Sequence, residues 1–236
     1  MLRFFRERYP VGPTRNELIA GLICLIAWQL AVPFLLLPIY QAFAQNPEKA
    51  EFVYQIAYFT VSFIAVVLLF RKLLWRSCEP LKGRAVRLIG AVLSGFVVYY
   101  IVSFLIAYIL MFIPVQADNR NNAAIEGLLE QSSLIMGLCT VVLAPITEEV
   151  LVRGMVFAPL CRKSPLLAYA VSILLFGGLH VVGYIGQQPA TELLISFLQY
   201  VPAGLALGYA YQRTMSLWGS IALHALLNGI AVAYLL

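Results

Sequence analysis

Two adjacent glutamates and an arginine, Glu148, Glu149 and Arg153, lie in an apolar stretch long enough to cross a membrane. A charged side chain at bilayer depth costs roughly 2.5–3.5 kcal/mol on insertion scales, so such residues are usually functional. Glu149 and Arg153 are four residues apart with the acid first, which is a favourable spacing for an ion pair on one helix face. Glu148 points about 100° away from that pair. It is therefore the carboxylate available for proton transfer as a general base.

The only two histidines of the chain also lie in apolar segments. His180 follows Phe176 by four residues, and His224 precedes Asn228 by four, so each pair lies on one helix face. Lone histidines are often ordinary core residues, and a buried ion and hydrogen-bond network is the structural alternative for this set. Both histidines can meet the acidic pair, however, which favours a functional site.

The depth of these residues can be compared from the sequence. If residues 133–160 and 165–186 form an antiparallel hairpin that turns near Ser164, then Glu148 and His180 are each 16 residues from the turn. At about 1.5 Å per residue, they lie at similar depth. The last span enters from the same face, which brings His224 and Asn228 towards them. The comparison requires the first helix of the hairpin to continue past Arg153 to about residue 159.

The elements that position these residues are predicted to be membrane helices. The sequence is 62% hydrophobic and 11% charged, with a mean hydropathy of +0.88, whereas soluble domains carry about 25% charged residues. The apolar runs do not alternate as β-barrel strands do. We predict an all-α polytopic bundle of about seven spans, the first kinked at Pro33 and Pro38. The runs cover residues 17–40, 52–70, 87–113, 133–160, 165–186, 192–212 and 217–236.

The distribution of basic residues predicts the orientation. Only two of the 16 Lys and Arg residues lie on the other side: Lys49, between the first and second spans, and Arg120, between the third and fourth. Nearly all the others precede the first span or lie in the alternate loops. The positive-inside rule then predicts a cytoplasmic N-terminus and an external C-terminus. The basic charge indicates topology and contact with anionic lipid, not nucleic-acid binding.

The chain divides by chemistry into two predicted domains. Residues 1–132 give three spans and a polar outer loop, and are expected to act as a scaffold. Residues 133–236 give four spans that contain the polar motifs and are expected to form the catalytic core. Pro145 is expected to remove one backbone hydrogen bond and kink the helix that carries Glu148. The basic and aromatic residues 2–9 are interpreted as an interfacial anchor.

The ordered motifs resemble those of the CPBP family, which includes the type II CAAX prenyl endopeptidases and bacterial bacteriocin-processing and self-immunity proteins. The resemblance covers roughly residues 130–232 and rests on Glu-Glu-x-x-x-Arg, Phe-x-x-x-His and His-x-x-x-Asn in this order. The segment from Ala144 to Glu149, followed by Arg153-Gly154, is similar to the first motif of the family. Val152 departs from it, because many members carry Phe there, and this departure concerns packing.

The resemblance implies intramembrane hydrolysis of a peptide bond. By motif position, Glu148 and His180 would activate a water molecule, while His224 and Asn228 would stabilise the tetrahedral oxyanion. Glu149 and Arg153 would support the site or hold the substrate. No cofactor is favoured. Zinc is the alternative, with His180, His224 and Glu148 as the three ligands of a catalytic site, but this would leave only the paired Glu149 as base.

Two other functions fit the same residues. A non-catalytic self-immunity or peptide-binding membrane protein would use the same polar site to hold a peptide. A proton-coupled transporter would use Glu and His as a proton relay, although the spans show no internal repeat of the kind common in transporters. The expected partners are the lipid bilayer and a peptide or protein substrate, without nucleic acid. Short loops favour a bacterial cell membrane as the location.

Overall fold

The computed structural model describes residues 12–113 and 119–235, which form a bundle of α-helices. The predicted anchor at residues 2–9 lies outside the described residues. In order, the helices are α1 (Arg15–Ala42), α2 (Pro47–Arg76), α3 (Ala85–Leu110), α4 (Arg120–Gln131), α5 (Ser133–Cys161), α6 (Pro165–Val181), α7 (Ala190–Thr214) and α8 (Leu217–Leu235). Short 3-10 turns occur at Glu79–Leu81 and at Val182–Tyr184.

The predicted all-α polytopic architecture is confirmed. Six of the described helices are long and apolar enough to cross a membrane, and α1 makes a seventh when its two bent halves count as one span. Helix α4 is short and amphipathic and follows the third span. Apolar side chains such as Phe34 and Phe104, which are more than two-thirds exposed, cover the outside of the bundle, as contact with lipid requires.

Helix α1 bends by 44° between Trp28 and Leu30. The bend lies one turn before Pro33, because a proline has no N–H to bond the carbonyl four residues earlier and its ring clashes with that carbonyl. The predicted kink is therefore present, but it lies at the carbonyl that loses its hydrogen bond, about four residues before Pro33. Pro38 lies within the second half of the helix.

Local sequence signals define where the helices begin. Thr14 and Glu17 form a capping box at the start of α1, in which each side chain bonds the backbone N–H of the other. Asn46 caps α2 and Ser164 caps α6, and each cap is followed by a proline at the first helical position. The cap at Ser164 places the turn of the α5–α6 hairpin where the sequence predicted it.

One end of the bundle, here called the basic face, carries the basic loops. Arg76 at the end of α2 bonds Glu17 at the start of α1 at 2.6 Å, and Arg87 at the start of α3 bonds the carbonyl of Arg213 at the end of α7 at 2.9 Å. The α7–α8 connection joins the same end through a hydrogen bond from Ser216 to the carbonyl of Ser77. These contacts bring the basic segments together on one side.

The other end of the bundle, here called the opposite face, is closed in part by α4. Gln131 at the end of α4 donates to the carbonyl of Glu48 at the start of α2. Asn119 at the start of α4 donates to Gln199 of α7 at 2.8 Å. The ends of α6 and α8 lie towards this face, because both helices start at the basic face.

Close packing of α6 and α7 depends on two glycines of α7. A Cβ atom at Gly204 would lie 3.1 Å from the Cα of Ile173, and one at Gly208 would lie 2.9 Å from the ring of Tyr169. Because both positions lack a side chain, α7 can lie against α6 at short distance. The carbonyl of Gly204 is then within reach of the residues on α5.

Candidate active site

Helix α5, which carries the acidic pair, is irregular on both sides of it. The turn Ala144–Glu149 is α-helical, whereas Cys139–Leu143 and Val150–Phe157 are π-helical. Such π turns occur often at functional sites, because they redirect side chains and leave backbone groups free. The helix runs on to Cys161, so the condition for the predicted depth match is met.

Pro145 explains one of the free backbone groups. In the first π turn, the N–H of Ala144 bonds the carbonyl of Cys139 five residues earlier. The next bond of this series would join residue 145 to Thr140, but a proline has no N–H. The carbonyl of Thr140 instead accepts a hydrogen bond from Nδ2 of Asn228 at 2.8 Å. A π turn and a bond from α8 thus accommodate the proline.

Glu149 and Arg153 form a completely buried ion pair. Both residues are 0% exposed, and Arg153 Nη1 lies 3.1 Å from Glu149 Oε1. Arg153 Nη2 also donates to the carbonyl of Gly204 at 3.1 Å, and its guanidinium lies 4.7 Å from the ring centre of Phe176. The pair therefore ties α5 to α6 and α7, in agreement with the predicted helical spacing.

The same carboxylate oxygen of Glu149 also holds a histidine. Glu149 Oε1 lies 3.0 Å from His224 Nδ1. A carboxylate at this position accepts the Nδ1–H bond and orients the ring. Because Glu149 orients His224, the other ring nitrogen, Nε2, points towards Glu148. This contact between α5 and α8 was not predicted.

Glu148 faces both histidines. Its Oε2 lies 3.9 Å from His180 Nε2 and 3.9 Å from His224 Nε2. These separations are too long for direct hydrogen bonds, but they suit a bridging water molecule. His180 Nδ1 lies 2.8 Å from the carbonyl oxygen of Phe176, which can only accept a hydrogen bond, so Nδ1 carries the hydrogen. In the neutral ring, Nε2 of His180 is then an acceptor.

These groups line a cavity of about 570 Å³. Glu148, His180, His224 and Asn228 all contribute to its wall. The structure therefore brings together the four residues that the sequence placed at one site, while Glu149 and Arg153 lie behind the wall. The volume is within the range of ligand-binding cavities and can accept a short stretch of peptide.

Sequence reasoning missed a group of polar residues at the same cavity. The ring of Tyr200 stacks on His180 with centroids 4.3 Å apart. Its hydroxyl group bonds Asn119, Asn121 and Asn122 of α4 at 3.1–3.3 Å. No spacing rule could have linked these residues, because they lie about 80 positions apart in the chain and meet only through α4. The three asparagines within four residues were the one available signal.

Glu148 lies farther from each of the other two donors of the alternative zinc site than the ligands of a bound zinc ion lie from one another. Ligands of tetrahedral zinc at about 2.0–2.1 Å are roughly 3.3 Å from one another, whereas Glu148 is 3.9 Å from each histidine. Across the described parts of the chain, no group of three or more His, Cys, Asp and Glu side chains is placed to hold a metal ion.

Comparison with protein families gives a match over the same helices. Residues 130–230 match the model of the Rce1-like family, described as type II CAAX prenyl endopeptidase Rce1-like. The resemblance to this protease family is confirmed. The match covers α5 to α8 and includes all three motifs. Searches of curated proteins and of solved structures give no significant match.

At the level of the family, the match supports an intramembrane protease. The preceding helices α1 to α3 lie outside the matched residues, yet Trp28, Tyr58 and Tyr99 from these helices line the cavity. The matched region thus contains the acidic and histidine residues, and the helices before it complete the wall. The boundary between the two domains near residue 132 stays a prediction.

Proposed function

We propose that the chain is an intramembrane endopeptidase that hydrolyses a peptide bond of a membrane-associated peptide or protein by a glutamate mechanism. The observation that carries the proposal is Glu148 Oε2 at 3.9 Å from the Nε2 atoms of both histidines, in the wall of a cavity of about 570 Å³. A water molecule between these atoms would be within reach of Glu148 as base, His180 as hydrogen-bond acceptor and His224 as donor. The Rce1-like match supports the reaction class.

The first step is the activation of water. Glu148 takes a proton from the water molecule, and His180 orients it through the free Nε2, because Nδ1 is held by the carbonyl of Phe176. The hydroxide so formed attacks the carbonyl carbon of the scissile bond. A tetrahedral intermediate results, with the negative charge on the former carbonyl oxygen.

The second step is stabilisation of this oxyanion. Glu149 accepts from Nδ1 of His224 and orients the ring, so that Nε2 faces the cavity; when the ring carries a hydrogen on both nitrogens, Nε2–H donates to the oxyanion. Asn228 uses one N–H on the carbonyl of Thr140 and has a second for the substrate. A preorganised donor of this kind is worth about 3–4 kcal/mol. The intermediate then collapses: the C–N bond breaks, the carbonyl re-forms as a carboxylic acid, and Glu148 returns its proton to the leaving amine.

The decisive experiment compares purified wild-type protein with Glu148→Gln on a panel of membrane peptides. Removal of a general base lowers turnover by roughly 10²–10⁴-fold, and we expect a loss of this size. Glu126→Gln is the matched control, because Glu126 lines the same cavity but takes no part in the mechanism; its turnover should equal that of the wild type. If the wild type binds peptides without cleaving any, the chain is a peptide-binding or self-immunity protein instead.

A further inference from the structure

The imidazole of His180 needs support from outside its own helix. His180 lies one residue before the end of α6, where a 3-10 turn follows, and the ends of helices are their least stable parts. Its Nδ1 atom bonds the carbonyl of Phe176 at 2.8 Å, but this acceptor belongs to the same end of α6. The proposed activation of water nevertheless requires Nε2 of His180 to stay directed at Glu148, 3.9 Å away.

The side chain of Tyr200 on α7 gives this support. Its ring stacks on the imidazole of His180, with centroids 4.3 Å apart and an angle of 27° between the planes. The ring of Phe176 contacts the same imidazole at 4.7 Å but is tilted by 45°. The χ2 torsion of a histidine has only a broad preference of its own. A flat neighbour in a near-parallel stack therefore decides the plane of the ring.

The hydroxyl group of Tyr200 is fixed in turn by α4. It accepts a hydrogen bond from Nδ2 of Asn121 at 3.1 Å. Its own hydrogen is within reach of Oδ1 of Asn119 at 3.1 Å and of Oδ1 of Asn122 at 3.3 Å. Because a tyrosine hydroxyl has a single hydrogen, a bond to either asparagine leaves none for a substrate. Tyr200 is therefore placed to hold a neighbour and not to transfer a proton.

Helix α4 is itself well anchored, although it is too short to cross a membrane. Leu128 and Leu129 are buried in an apolar cluster with side chains of α5 and α8. At the end of α4, Gln131 donates to the carbonyl of Glu48 on α2 at 3.3 Å. The asparagines near its start are therefore held at a fixed place, and so is the hydroxyl of Tyr200.

We propose that Tyr200 is a positioning residue that sets the ring plane of His180, with α4 as its anchor. The inference rests on the proposed function, because it adds a positioning residue to the same site. Two substitutions separate the two contacts of this side chain. Tyr200→Leu removes the stack, whereas Tyr200→Phe keeps the stack and removes the bonds to α4. Tyr209→Leu is the matched control, because Tyr209 lies on the same helix but is not part of the cavity wall.

The ring of His180 is observed directly by solid-state NMR of the full-length chain in lipid bilayers, with nitrogen-15 in its histidines and an affinity tag without histidine. The sequence contains two histidines, so the spectrum of His224→Gln assigns the signals. At alkaline pH, we expect His180 of the wild type to be protonated on Nδ1 and free on Nε2. In Tyr200→Leu its signals should shift towards a mixture of the two tautomers, while those of His224 stay unchanged.

Tyr200→Phe should give a smaller shift of the His180 signals, and Tyr209→Leu none. Unchanged His180 signals in folded Tyr200→Leu overturn the inference. Equal shifts in Tyr209→Leu also overturn it, because the effect would then be a general loosening of α7. Should Tyr200→Leu fail to fold, Tyr200→Met retains more of the side-chain length without a flat ring and is used with the same expectations.

Turnover gives a second measurement. Misplacement of a reacting group by about 1 Å can cost roughly 10²-fold in rate, so we expect Tyr200→Leu to lower kcat by up to that factor, with a smaller change in KM. Tyr200→Phe should lie between Tyr200→Leu and the wild type, and Tyr209→Leu should equal the wild type. A rise in KM at constant kcat would make Tyr200 a substrate contact and overturn the inference. If the wild type cleaves no peptide, the proposed function fails, while the His180 signals still decide whether Tyr200 holds the ring.

Discussion

At the scale of single residues, two adjacent glutamates have opposite environments. Glu149 is completely buried and bonded to Arg153 and His224, whereas Glu148 lines the cavity without a direct hydrogen bond to either histidine. The spacing of four residues predicted the Glu149–Arg153 contact, because it follows from helix geometry alone. The contact with His224 could not be predicted, since it depends on how α8 is placed against α5.

This difference predicts separate effects on stability. Glu149→Gln should lower the melting temperature strongly, because loss of one partner of a buried ion pair costs about 3–5 kcal/mol. Glu148→Gln should leave the melting temperature of the purified protein unchanged. Replacing both partners, as in Glu149→Gln with Arg153→Met, should recover part of the loss, since no buried charge is left unpaired. If Glu149→Gln is stable and inactive while Glu148→Gln is unstable, the roles of the two residues are exchanged.

The residue geometry also predicts how activity depends on metal. In the proposed mechanism Glu148 and His180 activate water without a metal, so cleavage should survive prolonged chelation, and active protein should contain well under one equivalent of zinc by metal analysis. A zinc site formed by Glu148, His180 and His224 would behave differently, and replacing either histidine would remove the metal. Stoichiometric zinc whose removal reversibly stops cleavage would change His224 from an oxyanion donor to a ligand.

At the scale of the element, α5 shows which features the sequence could predict. Pro145 indicates a lost backbone bond, because proline has no N–H, and this could be inferred from the residue alone. Its consequence could not, since the helix forms a π turn and the free carbonyl of Thr140 is satisfied by Asn228 of α8. The bend of α1 is similar, as it occurs one turn before Pro33.

The link between Pro145 and Asn228 can be tested by a double-mutant cycle. Asn228→Ala should lower the free energy of unfolding by about 1–3 kcal/mol, because it leaves the carbonyl of Thr140 without a partner. In a Pro145→Ala background the loss should be smaller, since the new N–H can bond that carbonyl. Asn119→Ala is the control and should be additive with Pro145→Ala, because the sites share no partner. If the losses from Asn228→Ala and Pro145→Ala are also additive, Pro145 and Asn228 are not linked through the carbonyl of Thr140.

At the scale of the whole molecule, the spans were predictable and the completed cavity was not. Long apolar runs indicate membrane helices by length and composition, and each predicted run overlaps one of the described helices over most of its length. Trp28, Tyr58 and Tyr99 line the cavity, yet an aromatic residue in an apolar span has the same sequence signal whether it faces lipid or a cavity. Tyr200 was missed for the same reason.

The orientation of the molecule is the last prediction. The contacts of Arg76, Arg87 and Ser216 gather the basic segments on one face, and the positive-inside rule places this face in the cytoplasm. With α1 counted as one span, seven crossings put the two termini on opposite sides. Alkaline phosphatase fused to the C-terminus should therefore be active in intact cells, and the same fusion at the N-terminus inactive. A C-terminal reporter that is active only in the cytoplasm would reverse this orientation.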